Sequence, residues 1–317
     1  MDVRDSGPGG SGRVGSGRVG SGRVGSGRGG SGEVLDSVLS TRCAAGVRIG
    51  RFGARARRYD HGVVPAFAAD DPAAVRHFSE AGWVATADAD GSGPTPERLR
   101  AWADELADLD PAVGVLHYFE ETDCGPARCR SEHFVEVHAG LRAFLTEGAM
   151  PATAGALLGE PAVLYKEKCN YKLPGGAGYS PHQDAPAYRF VETHVSCMVA
   201  IDDATVANGC LEVVSGAHDR IWPQDERGCI APEVVATMRW EPVEVPAGGT
   251  LWFHSRTPHR SGPNRSDRPR RALYPTYNAA REGTLRDEYY RAKAAELADD
   301  EPRRVSLLGD FEGRIVG

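Results

Sequence analysis

Helix-forming patterns fill the chain up to about residue 158, and strand patterns fill most of the remainder, with few strand–helix alternations. That order is the strongest constraint on the fold. A parallel doubly wound sheet needs a helix between successive strands, so it is excluded; the expected fold class is mainly β, an antiparallel architecture with helices on one side. No Gly-x-Gly-x-x-Gly follows a strand, which leaves a dinucleotide cofactor without support.

The helical part is clearly punctuated. Asp70-Asp-Pro72 supplies an N-cap with proline near the first helical position, opening a helix through Glu80 that Gly82 stops. Trp83-Val-Ala85 reads as a short strand. Thr95-Pro96 opens a second helix to Leu109, with Leu99, Trp102, Leu106 and Leu109 on one face. Phe134, Val137, Leu141 and Leu145 keep the same spacing and predict a third helix over 131–146, ended by Gly148, before a short one near Ala152–Leu158.

Beyond it, Ala162 to Lys172 alternates as one strand with Lys166, Lys168, Asn170 and Lys172 on a common face. Two readings of that face stand. It is an exposed basic surface, or it lies inside a barrel where ammonium groups meet anionic ligands. His194 to Asp202 is nearly continuous in apolar residues and predicts a buried central strand. Asn208-Gly209 marks a turn; Cys210–Val214 and Gly249–Phe253 are further strands, and Thr284 to Leu297 reads as a surface helix.

Two motifs carry chemistry. Ser180-Pro-His-Gln-Asp-Ala-Pro186 supplies His182 and Asp184, whose side chains share a face of an extended backbone. Thr257-Pro-His-Arg-Ser-Gly-Pro-Asn264 supplies His259 after the strand at Gly249. Two imidazoles and one carboxylate, with coordination positions left over, form the facial set that suits non-haem Fe(II) in oxygenases. A His-x-Asp triplet alone is also an ordinary surface turn beside Pro181 and Pro186. His194 and His254 are rival ligands, but neither is followed by the Ser and Arg that accompany His259. A turn, Asn264 to Pro269, leads to a strand over 270–277. A hairpin across that turn predicts Arg270 opposite His259, where its guanidinium can clamp a carboxylate with Ser261 as second donor. Arg271, its neighbour, then faces out to solvent.

His182-Gln-Asp184, Asn208-Gly-Cys-Leu-Glu-Val-Val-Ser-Gly-Ala-His218 and His259-Arg-Ser-Gly-Pro-Asn264 followed by Arg270 resemble the phytanoyl-CoA dioxygenase family. The resemblance runs from about Pro65 to Ala280. It implies a double-stranded β-helix (a jelly-roll or cupin-like barrel) and an Fe(II)- and 2-oxoglutarate-dependent dioxygenase that uses O2. It implies His182, Asp184 and His259 as iron ligands, and Arg270 and Ser261 on the distal carboxylate of 2-oxoglutarate. Asn170 and Lys172, in the run Asn170-Tyr-Lys-Leu-Pro-Gly175, are further co-substrate candidates on the same likeness. Asp184 is present, so the chain resembles the hydroxylating rather than the halogenating members. Tyr165 to Gly176, with His182-Gln-Asp-Ala-Pro-Ala-Tyr188, is similar to the branch that includes 2-aminoethylphosphonate dioxygenases. The implied substrate is a small anionic metabolite, a phosphonate or a natural-product intermediate. Two alternatives remain open on the residues: a hydrolase using another metal on the same barrel, and a non-catalytic barrel that binds a small molecule.

Composition bounds the rest. Hydrophobic content of 41% and charged content of 26% are those of a soluble globular protein, and no apolar run approaches the ~18 residues a membrane span needs. Residues 1–33 form a tail in which Ser-Gly-Arg-Val-Gly recurs, a material too rich in glycine to bury a core. Its five arginines and two aspartates before Glu33 leave −10 for the remainder of a chain whose net charge is −7. So acidic a body speaks against nucleic-acid binding. Residues 34–64 read as a linker, 65–300 as the catalytic domain and 301–317 as an extension. The seven cysteines contain no Cys-x-x-Cys pair, and free thiols in a reducing cytoplasm are expected.

Overall fold

A computed structural model describes residues 66–68, 71–87, 91–122, 125–188, 190–297 and 314–315. The expectations for the repeat tail and for 34–64 lie outside the described residues, as does most of the 301–317 extension. In chain order come β1 (Ala66–Ala68), α1 (Pro72–Ala81), β2 (Trp83–Ala87), α2 (Pro96–Ala107), β3 (Leu116–Thr122), β4 (Gly125–Glu132), α3 (Ala139–Thr146) and α4 (Ala149–Leu158). The strand-rich part begins with β5 (Ala162–Lys166), β6 (Lys168–Lys172), β7 (Tyr179–His182), β8 (His194–Ala200), β9 (Leu211–Val213), α5 (Pro232–Val235) and β10 (Glu241–Val243). It closes with β11 (Thr250–His254), β12 (His259–Ser261), β13 (Arg270–Leu273), β14 (Thr276–Ala279), α6 (Arg286–Leu297) and β15 (Arg314–Ile315).

The strands form two sheets. The larger runs β1-β2-β11-β8-β13-β6-β4-β3-β15, with β14 pairing both β8 and β5; the smaller runs β10-β9-β12-β7. All pairs are antiparallel except β1 with β2. Strand alternation sorts the side chains of the larger sheet into two cores. Val195, Cys197, Val199, Trp252, Leu273 and Cys169 meet the helices through Phe78, Leu99, Trp102, Leu106, Leu141 and Leu145. The opposite parity, Met198, Ala200, Leu251, Phe253 and Ala272, packs on Leu211, Val213 and Val243 of the smaller sheet. This is the double-stranded β-helix with helices on one side.

The helix starts follow the sequence closely. Asp71 caps α1, its carboxylate accepting from Ala73 N at 2.8 Å, and Thr95 caps α2, accepting from Arg98 N at 3.3 Å. The helix expected over 131–146 is shorter. Residues 131–132 end β4, His133 turns at φ +62°, and Phe134 and Val135 donate backbone N–H groups to the buried Glu167 carboxylate at 2.8 and 3.1 Å. Helix begins only at Ala139, where His138 Nδ1 accepts from Leu141 N. The apolar spacing of Phe134 and Val137 mimics a helix, but a carboxylate about 30 residues downstream holds the backbone otherwise.

Glu167 also splits the strand expected over 162–172. β5 pairs with β14, β6 pairs with β13 and β4, and Glu167 sits at the change of partner. The final helix is likewise no mere surface element. Arg286 and Tyr290 of α6 bind Glu167, and Lys293 pairs with Glu132.

Arg271 departs from its expected solvation in a smaller way. It does face away from the barrel interior, but its guanidinium bonds Asp202 at 2.8 Å and Asp104 of α2 at 2.7 Å. Arg271→Ala leaves the Asp202 carboxylate, 19% exposed, without its main partner. A cost of about 2 kcal/mol is expected, between the values for exposed and buried pairs. Calorimetry should show the thermal midpoint lower by roughly 4–8 °C; an unchanged midpoint would contradict this role.

Candidate active site

His182 ends β7 and His259 begins β12, and the two are register partners across that antiparallel pair. Their rings lie 4.1 Å apart between centroids. Each Nδ1 bonds a backbone carbonyl two residues earlier in its own segment: His182 to Ser180 O at 2.7 Å, His259 to Thr257 O at 3.0 Å. Donation by Nδ1–H in both leaves both Nε2 lone pairs free and turned toward Asp184. Asp184 Oδ1 lies 4.0 Å from His182 Nε2 and 3.9 Å from His259 Nε2.

The local route to this geometry differs from a plain extended strand. Asp184 has left β7 and takes helical backbone angles, φ −71° and ψ −34°, as a short turn opens. Gln183 pulls the opposite way and is 1% exposed. It accepts from Trp222 N and donates to the carbonyls of Arg220 and Arg256. That anchorage, with Ala185 N on Ser255 O at 2.9 Å, brings Asp184 back toward the imidazoles.

Three ligand atoms from three buried side chains thus lie within 4.8 Å of one another, the only such group among the described residues. Burial first, then the adjacent His259, pushes the His182 imidazole down to about 3, and burial lowers His259 as well, so both rings are neutral. Burial works against the Asp184 carboxylate, yet the imidazoles and the ammonium groups of Lys166 and Lys168 outweigh it and hold it ionised. Ser196 Oγ donates to Asp184 Oδ2 at 2.6 Å, which leaves Oδ1 to face the histidines. Neutral imidazoles with free Nε2 atoms and an oriented carboxylate fit a divalent iron. His194 and His254 stay outside the cluster. The group opens on a cavity of about 450 Å³, lined among others by Leu211, Phe253, Tyr188, Tyr274 and Lys168.

The expected hairpin between His259 and Arg270 does not form. β12 pairs with β7 and β9, β13 with β6 and β8, and Arg270 stands opposite Lys172. The connection carries Pro263 and Pro269 and is folded into a corner. Asn264 Nδ2 donates to Lys172 O at 3.0 Å and to Arg268 O at 2.8 Å. The corner transfers the chain from one sheet to the other, so Ser261 and Arg270 reach the interior from facing sheets. Arg270 is 1% exposed, bonds Tyr274 OH at 3.3 Å, and has no carboxylate partner among the described residues; its Nε is buried without an acceptor. An orphaned guanidinium N–H at that depth fits a carboxylate ligand.

Lys166, Asn170 and Lys172 are buried and share the barrel-facing parity of β5 and β6, so the exposed-face reading fails. Lys172 Nζ donates to Ser261 Oγ at 2.8 Å, Gly262 O at 2.6 Å and Gly209 O at 3.3 Å, fastening the sheets together. Since Ser261 accepts there, its own hydroxyl hydrogen stays available. Asn170 Oδ1 accepts from Arg130 Nε at 3.1 Å, and Arg130 also bonds Tyr179 and Glu132. The sequence reading missed Arg130, Glu132 and Ser196; only Ser196 left a signal, a hydroxyl at a barrel-facing position of an apolar strand.

Gly209 explains the Asn-Gly turn. It sits at φ +73°, and a Cβ there would lie 2.2 Å from Gly262 O and 2.9 Å from Lys172 Nζ. Gly209→Ala is expected to lower stability by about 1–3 kcal/mol from backbone strain alone and to loosen Lys172 from Ser261. A thermal midpoint equal to the parent's would refute it.

The sequence profile described as "Phytanoyl-CoA dioxygenase (PhyH)" matches residues 78–272. A protein named methylphosphonate hydroxylase from Gimesia maris is 46% identical over 226 residues, 69% of this chain and 86% of its own length. One named 2-aminoethylphosphonate dioxygenase, from an uncultured bacterium, is 36% identical over 211 residues, 65% of this chain and 80% of the relative. Among solved structures, the epimerase SnoN with Fe3+, alpha ketoglutarate and nogalamycin RO superposes at TM-score 0.57 and 21% identity, over 78% of this chain and 97% of that one. EctD from S. alaskensis, with 2-oxoglutarate and 5-hydroxyectoine, does so at 0.56 and 18%, over 73% and 86%. At these identities the structures speak for the fold alone. The buried His-Asp-His cluster on a double-stranded β-helix and the sequence matches together show that this chain belongs to the phytanoyl-CoA dioxygenase family and is an Fe(II)- and 2-oxoglutarate-dependent oxygenase.

Proposed function

We propose that the chain hydroxylates a short phosphonate at the carbon bonded to phosphorus. The relatives named for methylphosphonate and 2-aminoethylphosphonate support this substrate class. The observation that carries the chemistry is the convergence of His182 Nε2, Asp184 Oδ1 and His259 Nε2 on one point beside the cavity.

These three atoms would hold the iron, with Ser196 and Gln183 keeping Asp184 in place. Arg270, with the hydroxyl of Ser261, pairs the distal carboxylate of 2-oxoglutarate; Lys172 sets the Ser261 rotamer from behind. The amide nitrogen of Asn170, which has no acceptor among the described residues, is a further donor toward the co-substrate. When bound, iron and 2-oxoglutarate supply the oxidising chemistry, in which O2 oxidises the substrate C–H as 2-oxoglutarate becomes succinate and CO2. The protein's own part is positioning and exclusion of water: Leu211 and Phe253 wall the cavity on one side, Tyr188 and Tyr274 on another.

No described helix is long and apolar enough to cross a membrane, and Cys129, Cys169, Cys197, Cys210 and Cys229 are free thiols. We place the enzyme in the cytoplasm on that thiol usage. The test is a phosphorus NMR assay of the Fe(II)-loaded protein with 2-oxoglutarate, O2 and methylphosphonate or 2-aminoethylphosphonate. A hydroxylated phosphonate and succinate in equal amounts are expected. Succinate release unaffected by either phosphonate, with no new phosphorus resonance, would refute the substrate class.

A further inference from the structure

Resting on the phosphonate reading, we propose that Lys168, backed by Lys166, is the site that grips the doubly charged head group of the substrate. Lys168 lines the active-site cavity, and its ammonium has no hydrogen-bond acceptor or carboxylate partner among the described residues. It lies 5.4 Å from the ring centroid of Tyr274. Lys166 lies one layer back, its ammonium 4.1 Å from the centroid of Tyr188, another cavity-lining ring. It too lacks an acceptor.

The other charges at this end of the barrel are already committed. Glu132 pairs with Lys293 and Arg130, and Arg130 also bonds Asn170 and Tyr179. Asp184 is turned to the two histidines. Two ammonium groups therefore remain without a counter-charge in a largely enclosed space. An unpaired buried cation is costly to a folded protein, and a bound anion removes that cost. Burial, then Arg130 and Lys166, pushes the Lys168 ammonium well below its usual range; an anion beside it would reverse that shift.

Position separates this site from the co-substrate clamp. Arg270 stands opposite Lys172, whereas Lys168 exchanges backbone hydrogen bonds with Tyr274. Four residues of strand put the two cations about 13 Å apart along β6. Lys168 is instead close enough to the metal cluster to act electrostatically on His182, Asp184 and His259 together. A one-carbon phosphonate needs that proximity, because the carbon to be oxidised is bonded directly to the anionic phosphorus. Two ammoniums against a dianion also balance in charge.

The experiment titrates methylphosphonate and its monomethyl ester, a monoanion, into the anaerobic Fe(II)·2-oxoglutarate complex by calorimetry. The wild-type protein is expected to prefer the dianion. Lys168→Gln should bind methylphosphonate roughly 100-fold more weakly, the scale for removing one partner of a buried charge pair, and should lose the preference. Lys168→Arg should recover part of both, and Lys166→Gln should show a smaller loss. The visible band of the Fe(II)·2-oxoglutarate complex should be the same in all four proteins, which shows that fold and co-substrate site are intact. Lys168→Gln with wild-type affinity and preference overturns the proposal while leaving the phosphonate reading in place. Failure of the wild-type protein to bind or oxidise either phosphonate overturns both.

Discussion

Iron binding is expected to be lost in His259→Ala and kept in His254→Ala. His259 is 4% exposed, its Nδ1 is committed to Thr257 O, and its free Nε2 faces Asp184 Oδ1 at 3.9 Å. Removing it leaves one imidazole and one carboxylate for a metal that needs a facial set of three. Loss of a supporting residue behind a ligand typically costs ~10–100-fold in metal affinity, so loss of the ligand itself should exceed that range. His254 has a separate role at the end of β11. Its Nδ1 accepts from Arg256 N at 3.0 Å, its ring packs near His218 at 5.3 Å, and it offers nothing to the cluster. Iron retained per chain after anaerobic loading and desalting checks both variants. Retention by His259→Ala with loss in His254→Ala would reverse the assignment.

Arg270→Ala should raise the 2-oxoglutarate requirement by at least two orders of magnitude. The guanidinium is fixed by Tyr274 OH and by a contact to Met198 Sδ at 3.6 Å, and its Nε has no acceptor in the protein. A carboxylate arriving there meets a donor that is already oriented and already desolvated. Without the arginine, the same carboxylate would enter a dry interior unpaired, a loss of ~3–5 kcal/mol, which is a few hundred-fold or more in affinity. Iron binding should persist, since no ligand atom is touched. Arg271→Ala, on the outer face of the same strand, should leave 2-oxoglutarate affinity near the parent value while lowering stability. Anaerobic titration of 2-oxoglutarate into the Fe(II) forms, followed by the visible charge-transfer band, measures all of this. Normal affinity in Arg270→Ala would sink the co-substrate assignment.

Arg270 also shows how far a sequence carries. Strand period 2 was enough to say that Arg270 and Arg271 face opposite sides, and the structure agrees. Which strand Arg270 pairs with was not legible, because the proline-bearing corner at 262–269 closes through Asn264 onto Lys172 O, a contact between positions 92 residues apart. A local pattern cannot report a hydrogen bond of that span. The same limit produced the overlong third helix: Phe134 and Val137 keep helical spacing, yet the backbone there is tied to Glu167.

By itself, then, the sequence determined what depends on neighbours within a few residues: the caps at Asp71 and Thr95, the order of helices before strands, the His182-x-Asp184 and His259 motifs, and the shared parity of Lys168, Asn170 and Lys172. Only the tertiary structure decided which of these meet. It set His182 against His259 across one strand pair, turned Asp184 back through Gln183, gave Asp184 its Ser196 partner, and brought Ser261 and Arg270 to the interior from facing sheets. The physical reason is that helix caps and strand parity are short-range steric and hydrogen-bonding choices, whereas strand partners and the pairing of buried charges are settled by closing the barrel around them.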